Sequence, residues 1–266
     1  MKRRRRTKNP KSRPVLRVKR VSKIFADGGR AVSDVSFDAV EGELIVILGE
    51  SGCGKTTTLK MINRLIDASN GSVEINGQNV SRIDPVHLRR TIGYVFQGIG
   101  LFSHMTVAEN VGITPALLHW DEERIQIRVD ELLAMVRLEP EKYRNRMPAE
   151  LSGGQQQRVG FARALATSPS VILLDEPFGA LDPITRDTLQ HEFKHIQRSL
   201  NLTGVLVTHD VTEALLLADR ILVMKSGTIV QFGTARDLVA SPASLYVAEL
   251  MDMPKRQMRQ LESVVG

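Results

Sequence analysis

Cysteine is almost missing. Cys53 is the single one in 266 residues, which excludes an internal disulfide and suits a reducing cytoplasm. Long apolar runs are also missing: stretches such as Leu44 to Leu48 and Ala214 to Ala218 fall far short of the roughly 20 residues a spanning helix needs. The chain is not expected to cross a membrane. No secretory signal is visible, because the start MKRRRRTKNPKSRP is followed by no apolar stretch of signal-peptide length. Acid is absent from the first 20 residues, which hold eleven of the 36 Lys and Arg. The other 25 face 30 Asp and Glu, so the body is acidic and the net charge of +6 belongs to a terminal arm. Such dense like charge cannot form a core, and residues 1–14 are expected to be a disordered, solvated tail. A second use of the arm is contact with anionic lipid, where each Lys or Arg contributes about 1 kcal/mol. Nucleic acid is not an expected partner, because no aromatics interleave with the charges as a stacking platform would require.

What is present fits a large soluble core, with 42% hydrophobic and 25% charged residues. Residues 15 to 25 and 35 to 40 read as strands of a partly exposed sheet, and GSVEINGQNV carries an Asn76-Gly77 hairpin signal. The runs LIVIL (44 to 48), VILLD (171 to 175) and GVLVT (204 to 208) are continuously apolar and ended by turn or polar residues, as buried parallel strands are. In DEERIQIRVDELLAMVRL, Ile125, Val129, Leu132 and Val136 recur at helical spacing. An α/β parallel core with a helical insertion over about 98–165 follows.

The stretch HEFKH, 191 to 195, fits the H-E-x-x-H zinc pattern. It lies, however, in TRDTLQHEFKHIQRSL, where Leu189, Phe193 and Ile196 form the buried stripe and His191 and His195 project from another face. No third ligand is identifiable, and zinc is not expected.

A different site is more complete. Residues 49 to 56 read GESGCGKT directly after a buried strand. Gly49, Gly52 and Gly54, with Glu50, Ser51 and Cys53 between them, let successive N–H groups point inward as a phosphate cradle at a helix start. Lys55 would reach the β and γ phosphates, Thr56 would ligate Mg²⁺, and Thr57 would touch the α-phosphate of ATP. Cys53 reads as a small filler. In VILLDE, Asp175 would hold Mg²⁺ and Glu176 would polarise the attacking water. In LSGGQQQR, Ser152, Gly153 and Gly154 open a helix whose bare N–H groups form a second anion-binding end.

With these motifs together, residues 15–250 resemble the ATP-binding subunits of ABC transporters, and the segment FQGIGLFSHMTVAENV is similar to importers for glycine betaine, choline and other quaternary amines. The resemblance implies a P-loop NTPase (RecA-like) core, an N-terminal antiparallel β subdomain and an inserted α-helical subdomain. It implies that Ser152, Gly153, Gly154 and Gln155, with Asp182 of GALDP, act across the interface on the nucleotide held by a second copy. Phe25 resembles the aromatic that stacks on adenine. Gln97 resembles the glutamine that contacts Mg²⁺ and water, and His209 the histidine that holds the γ-phosphate. Ile99, Leu101 and Phe102 are candidate contacts to transmembrane permease subunits, through which an external solute-binding protein would act indirectly. The expected place is the cytoplasmic face of the cell membrane. Alternatives are a channel-free ATPase of the iron–sulfur assembly type and an importer or lipid-transporter ATPase for another solute. Some relatives carry paired CBS modules after the core; here only a short tail, 251–266, is expected.

Overall fold

The computed structural model describes residues 13–98 and 100–265, without the side chains of 264 and 265. Most of the expected basic arm and Ile99 lie outside the described residues.

Two sheets stack on one another. The first is antiparallel, in the order β2 (Arg30–Ala39), β1 (Leu16–Ile24), β4 (Asn70–Ile75), β5 (Gln78–Asn79). Its alternation of buried Leu16, Val18 and Val21 with exposed neighbours reflects one packed and one wet face. Ile75 pairs with Gln78 across Asn76 (φ 52) and Gly77 (φ 79), so the Asn-Gly signal makes the left-handed two-residue turn its chemistry favours. The second strand starts at Arg30, earlier than the sequence suggests, because the turn closed by Phe25 and Gly29 sends the chain straight back.

The second sheet runs β10 (Thr228–Gly233), β9 (Arg220–Lys225), β3 (Leu44–Leu48), β8 (Thr203–Thr208), β7 (Val171–Asp175), β6 (Ile92–Val95). All neighbours are parallel except β10 on β9. Every residue of β3, β7 and β8 is buried, because both faces are covered and alternate side chains enter different cores. Ile45, Ile47, Leu173, Val205 and Val207 join the antiparallel sheet and α1 (Lys55–Ile62) in one cluster. Leu44, Val46, Leu48, Leu174 and Leu206 enter the other. Full burial of such a side chain contributes about 1.5–3 kcal/mol. Arg220 ties the layers together, its Nε and Nη2 donating to the two buried Glu43 carboxylate oxygens at 2.8 and 2.9 Å and Nη2 also to the Asp38 carbonyl.

After α2 (Pro85–Thr91) and β6, the chain runs through α3 (Val107–Leu117), α4 (Glu122–Met135), α5 (Pro140–Tyr143) and α6 (Gly153–Leu165) before β7. In α4 the buried residues are Ile125, Val129, Leu132 and Leu133. The helices α7 (Pro183–Ser199), α8 (Val211–Leu217) and α9 (Ala235–Ala240) complete the apolar layer. In α7, Leu189, Phe193 and Ile196 are buried, while His191 is exposed with its Nδ1 on the Asp187 carbonyl. Glu192 instead forms ion pairs with Arg158 and Arg137, so the HEFKH glutamate clamps α7 to its neighbours.

Residues 251–265 of the expected C-terminal tail are helical, continuing α10 (Leu245–Val265). Buried Val247 and Met251 anchor its first turns, while Met258 and Leu261 are exposed. Its Met, Arg, Gln and Leu content favours helix, a signal masked because the recognised motifs had ended.

Phe161 of α6, Phe178 and Phe193 of α7 meet with centroids 5.3–6.2 Å apart, joining α6 and α7 to the loop after β7. Phe178 is fully buried, so Phe178→Ala is expected to lower the unfolding free energy by about 3–5 kcal/mol. Urea denaturation of the purified variant measures this, and a loss under about 1 kcal/mol would contradict the packing described.

Candidate nucleotide-binding site

The parallel register places the site. Leu48 pairs with Thr208 and Asp175 with Val207, so β3, β7 and β8 end at one edge and release three loops side by side. Open parallel sheets bind ligands at the carboxyl ends of their strands.

The loop after β3 is Gly49 to Gly54. A Cβ on Gly49 would stand 2.3 Å from the Met224 carbonyl and 2.8 Å from Cys53 Sγ, and one on Gly54 (φ 102) 2.4 Å from the Ala31 carbonyl. Only glycine therefore lets the loop curl this tightly against β9 and β2. Gly54 caps α1 without any side-chain bond, which leaves the first N–H groups of the helix for an anion. Glu50, Ser51 and Gly52 are exposed and Thr57 is half-buried. Lys55 is buried and its Nζ donates to the carbonyls of Gly49 and Glu50, each at 2.8 Å, holding a cation at the cradle's centre. Cys53 is buried, and desolvation raises its thiol pKa above the ordinary value, which suits the filler role.

Thr56 Oγ1 donates to Asp175 Oδ1 at 2.9 Å. Burial raises the Asp175 carboxyl, against the lowering effects of Thr56 and Lys60, and Glu176 raises it further. A hydroxyl beside a carboxylate, both oxygen donors, fits Mg²⁺, which is held by few protein carboxylates plus phosphates; a divalent cation would offset the charge crowding there. Tyr94 stands 3.4 Å from Asp175 Oδ2, and burial, then Asp175, raise its phenol well above the usual range. The sequence reading missed Tyr94, which sits on β6 at the spacing of an ordinary core residue. Gln97 is exposed and, among the described residues, has no hydrogen bond to Asp175 or Thr56.

Glu176 adopts φ 45, outside the range comfortable for a side-chain-bearing residue. Its N–H donates to the Val207 carbonyl at 3.0 Å and its Oε2 lies 3.2 Å from His209 Nδ1. Two residues that are 33 positions apart in sequence thus form one pair at the mouth of the site.

A second helix end stands elsewhere in the same chain. Ser152 caps α6, its Oγ accepting from Gln155 N–H while Gln155 Oε1 accepts from Ser152 N–H. Gln155 also donates to Tyr143, so its amide is committed within the chain. A Cβ on Gly154 would meet Thr185 Cγ2 at 2.6 Å. That contact sets α6 beside the start of α7, where Asp182 Oδ1 accepts from Thr185 N–H. This bonding holds the Asp182 carboxyl below its ordinary range. Among the described residues no hydrogen bond or ion pair joins Ser152 to Gln155, or Asp182, with Gly49 to Thr57.

Phe25 is exposed at the β1–β2 turn, with Lys23 Nζ 5.4 Å from its ring centre. Phe102 is exposed at a groove of about 550 Å³ that Tyr94, Phe96, Gln97, Leu117 and Arg163 also line, while the half-buried Leu101 packs against the core and is not part of that lining. Buried Asn110 shapes this rim, accepting from Phe102 N–H and donating to the carbonyls of Phe102, Met105 and Thr106.

Comparison with known proteins agrees with this geometry. The family profile described as ABC transporter matches residues 32–179. The glycine betaine/carnitine/choline transport ATP-binding protein OpuCA of Bacillus subtilis is 55% identical over 237 residues, 89% of this chain and 62% of that protein. The glycine betaine uptake system ATP-binding protein YehX of Escherichia coli is 46% identical over 241 residues, 91% of this chain and 78% of that protein. The chain therefore spans about 62% of the length of the first of these relatives. Among solved structures, the dimeric ATP-binding cassette MJ0796, in a post-hydrolysis state bound to ADP and Pi, superposes with a TM-score of 0.73 at 35% identity, covering 82% of this chain and 98% of that one. CbiO1 of Clostridium perfringens, part of the transporter complex cbiONQ, superposes with a TM-score of 0.79 at 28% identity over 94% of this chain and 99% of that one. The glycine loop after β3, the acidic end of β7 and the start of α6 lie on a fold shared with those structures, and the chain belongs to the ABC transporter family.

Proposed function

We propose that this chain binds and hydrolyses ATP and thereby powers a membrane importer for glycine betaine, choline or related quaternary amines. The observation that carries the reading is that the two helix starts suited to an anion, at α1 and α6, share no hydrogen bond among the described residues. Two copies arranged head to tail would each complete the other's pocket. In that arrangement Lys55, the N–H groups of Gly49 to Gly54, Thr56 and Thr57 bind the phosphates, and Phe25 stacks on the adenine. Ser152, Gly153 and Gly154 of the other copy close over the γ-phosphate beside Asp182, with Gln155 bracing their turn. Thr56, Asp175 and Gln97 would hold Mg²⁺, which would neutralise phosphate charge. Glu176 orients the water and polarises it as a base, and its contact with His209 holds both side chains at the γ-phosphate end of the loop. Contacts made only while the γ-phosphate is present make ATP favour the closed pair and ADP the open one.

Closure would be passed to permease subunits through the groove at Phe102, beside Leu101. The named relatives include transporters of glycine betaine, carnitine and choline, which supports the solute class. The permease and an external solute-binding protein would select the solute, and the chain would sit peripherally at the cytoplasmic membrane face.

Two outcomes are expected. Glu176→Gln keeps ATP affinity but lowers turnover by about two orders of magnitude or more, and ATP-bound dimers accumulate on size exclusion; unchanged turnover removes Glu176 from the chemistry. Capture of the tagged chain from detergent extracts recovers a polytopic membrane protein, and Phe102→Ala lowers that recovery without changing ATP binding. Recovery of soluble partners alone would argue against transport.

A further inference from the structure

Behind the Glu176 and His209 pair is a small cavity walled by Glu176, Arg186, Thr208, His209, Asp210 and Glu213. Neither Arg186 nor Glu213 belongs to the nucleotide motifs. Among the described residues, Arg186 Nε and Glu213 Oε1 in its walls are buried without a well-formed hydrogen bond, although the Thr208 hydroxyl still bears on the Glu213 carboxyl; such an arrangement is expensive unless it serves a purpose. Arg186 also reaches two loops at once. Its Nη2 donates to the Leu181 carbonyl at 2.9 Å, and its Nη1 lies 4.0 Å from Asp210 Oδ2. The first loop carries Asp182, the cap of α7, and the second follows His209 directly.

Glu213 is 4% exposed on α8. Its N–H donates to the capping Asp210 at 3.1 Å, and Gln190 of α7 lies 3.5 Å from its Oε2. Around it stand the carboxylates of Asp210 and Glu176, the Arg186 guanidinium and the His209 ring. Lys194 of α7 lies at the far end of α8, on the Leu217 carbonyl. Of the other elements packed on α8, β8 brings the Thr208 hydroxyl into the same cavity, and β3 and α10 contribute Leu44, Val46, Val247 and Met251 to the apolar cluster that α8 shares. Burial first, then Asp210, push the Glu213 carboxyl up to about 8, against the lowering effects of the Thr208 hydroxyl and Arg186, which favours its protonated form at neutral pH.

We propose that Arg186 and Glu213 are positioning residues that couple the Leu181–Asp182 turn to the Glu176–His209 pair. A shift of the turn pulls on Arg186, and Arg186 carries it to Asp210 and so to His209. Glu213 fills the space behind that pair. Ionised, it would set a third carboxylate beside Asp210 and Glu176 and loosen the Glu176 contact to His209. The inference rests on the hydrolysis reading above. Its sign follows from linkage: the folded value of about 8 lies above the ordinary 4.5. The stability that protonated Glu213 contributes is complete below the ordinary value and is lost as pH rises through the folded one.

The test is ATP turnover by the full chain at saturating Mg·ATP. For the wild type, kcat is expected to fall about tenfold between roughly pH 7 and roughly pH 9 as Glu213 ionises, and Glu213→Gln removes that fall. Arg186→Ala lowers kcat about tenfold with KM for ATP within about twofold, since it touches no nucleotide. Arg186→Lys restores part of the loss, because one ammonium reaches only one of the two loops; where the alanine variant does not fold, the lysine variant carries the comparison. Superimposable pH profiles for Glu213→Gln and wild type, or wild-type kcat in both Arg186 variants, overturn the inference while Glu176→Gln remains inactive. A wild type with no ATP turnover overturns this inference together with the hydrolysis reading.

Discussion

The site depends on the parallel register of β3, β8 and β7. Five apolar residues in β3, four apolar residues and buried Asp175 in β7, and six buried residues in β8 hold three strands side by side. Their carboxyl ends then open at one edge, where Gly49, Glu176 and His209 begin their loops. A slip of one residue would exchange the two faces of a strand. Leu44, Val46 and Leu48 would then leave the helical core for the cluster shared with the antiparallel sheet. Register is thus protected by burial on both sides, and the chemistry inherits that precision.

Charge is distributed unevenly around this edge. Lys55 supplies a buried cation held by carbonyls on the β3 side, while Asp175, Glu176, Asp210 and Glu213 gather acid on the β7 and β8 side. A ligand with phosphates suits the first, and a divalent cation relieves the second. Behind the loops Arg186 lies among these carboxylates, and burial raises the Glu213 carboxyl. The Glu176 backbone, at φ 45, is held by its bond to Val207 and adds local strain of the sort found where geometry serves function.

The two helix starts have contrasting surroundings. Gly54 caps α1 with no side chain, so its N–H groups stay open, whereas Ser152 and Gln155 cap α6 reciprocally. The α6 end is therefore a firm, preformed surface rather than a flexible lid. Gly154 lies against Thr185 and Asp182 caps the adjoining α7, so the starts of α6 and α7 present as one block. A block built this way suits docking against a second molecule as a unit.

Much of this was legible in the residues. The glycines of GESGCGKT, the carboxylates closing VILLDE and the start of LSGGQQQR announce their chemistry by local backbone needs, and continuous apolar runs announce doubly covered strands. The Asn76-Gly77 turn is equally local. Other residues gave no such signal: Tyr94 looks like a core aromatic, Arg186 and Glu213 like solvated helix positions, and α10 like a tail. Their roles come from what other segments place against them. The sequence by itself determined the elements and the cradle, because φ preferences, caps and hydrophobic period act over a few residues. Only the tertiary structure decided that Tyr94 meets Asp175, that Glu176 meets His209, and that Glu213 is buried among carboxylates. Such contacts depend on which strands lie next to each other, and burial there sets the charge each group can carry.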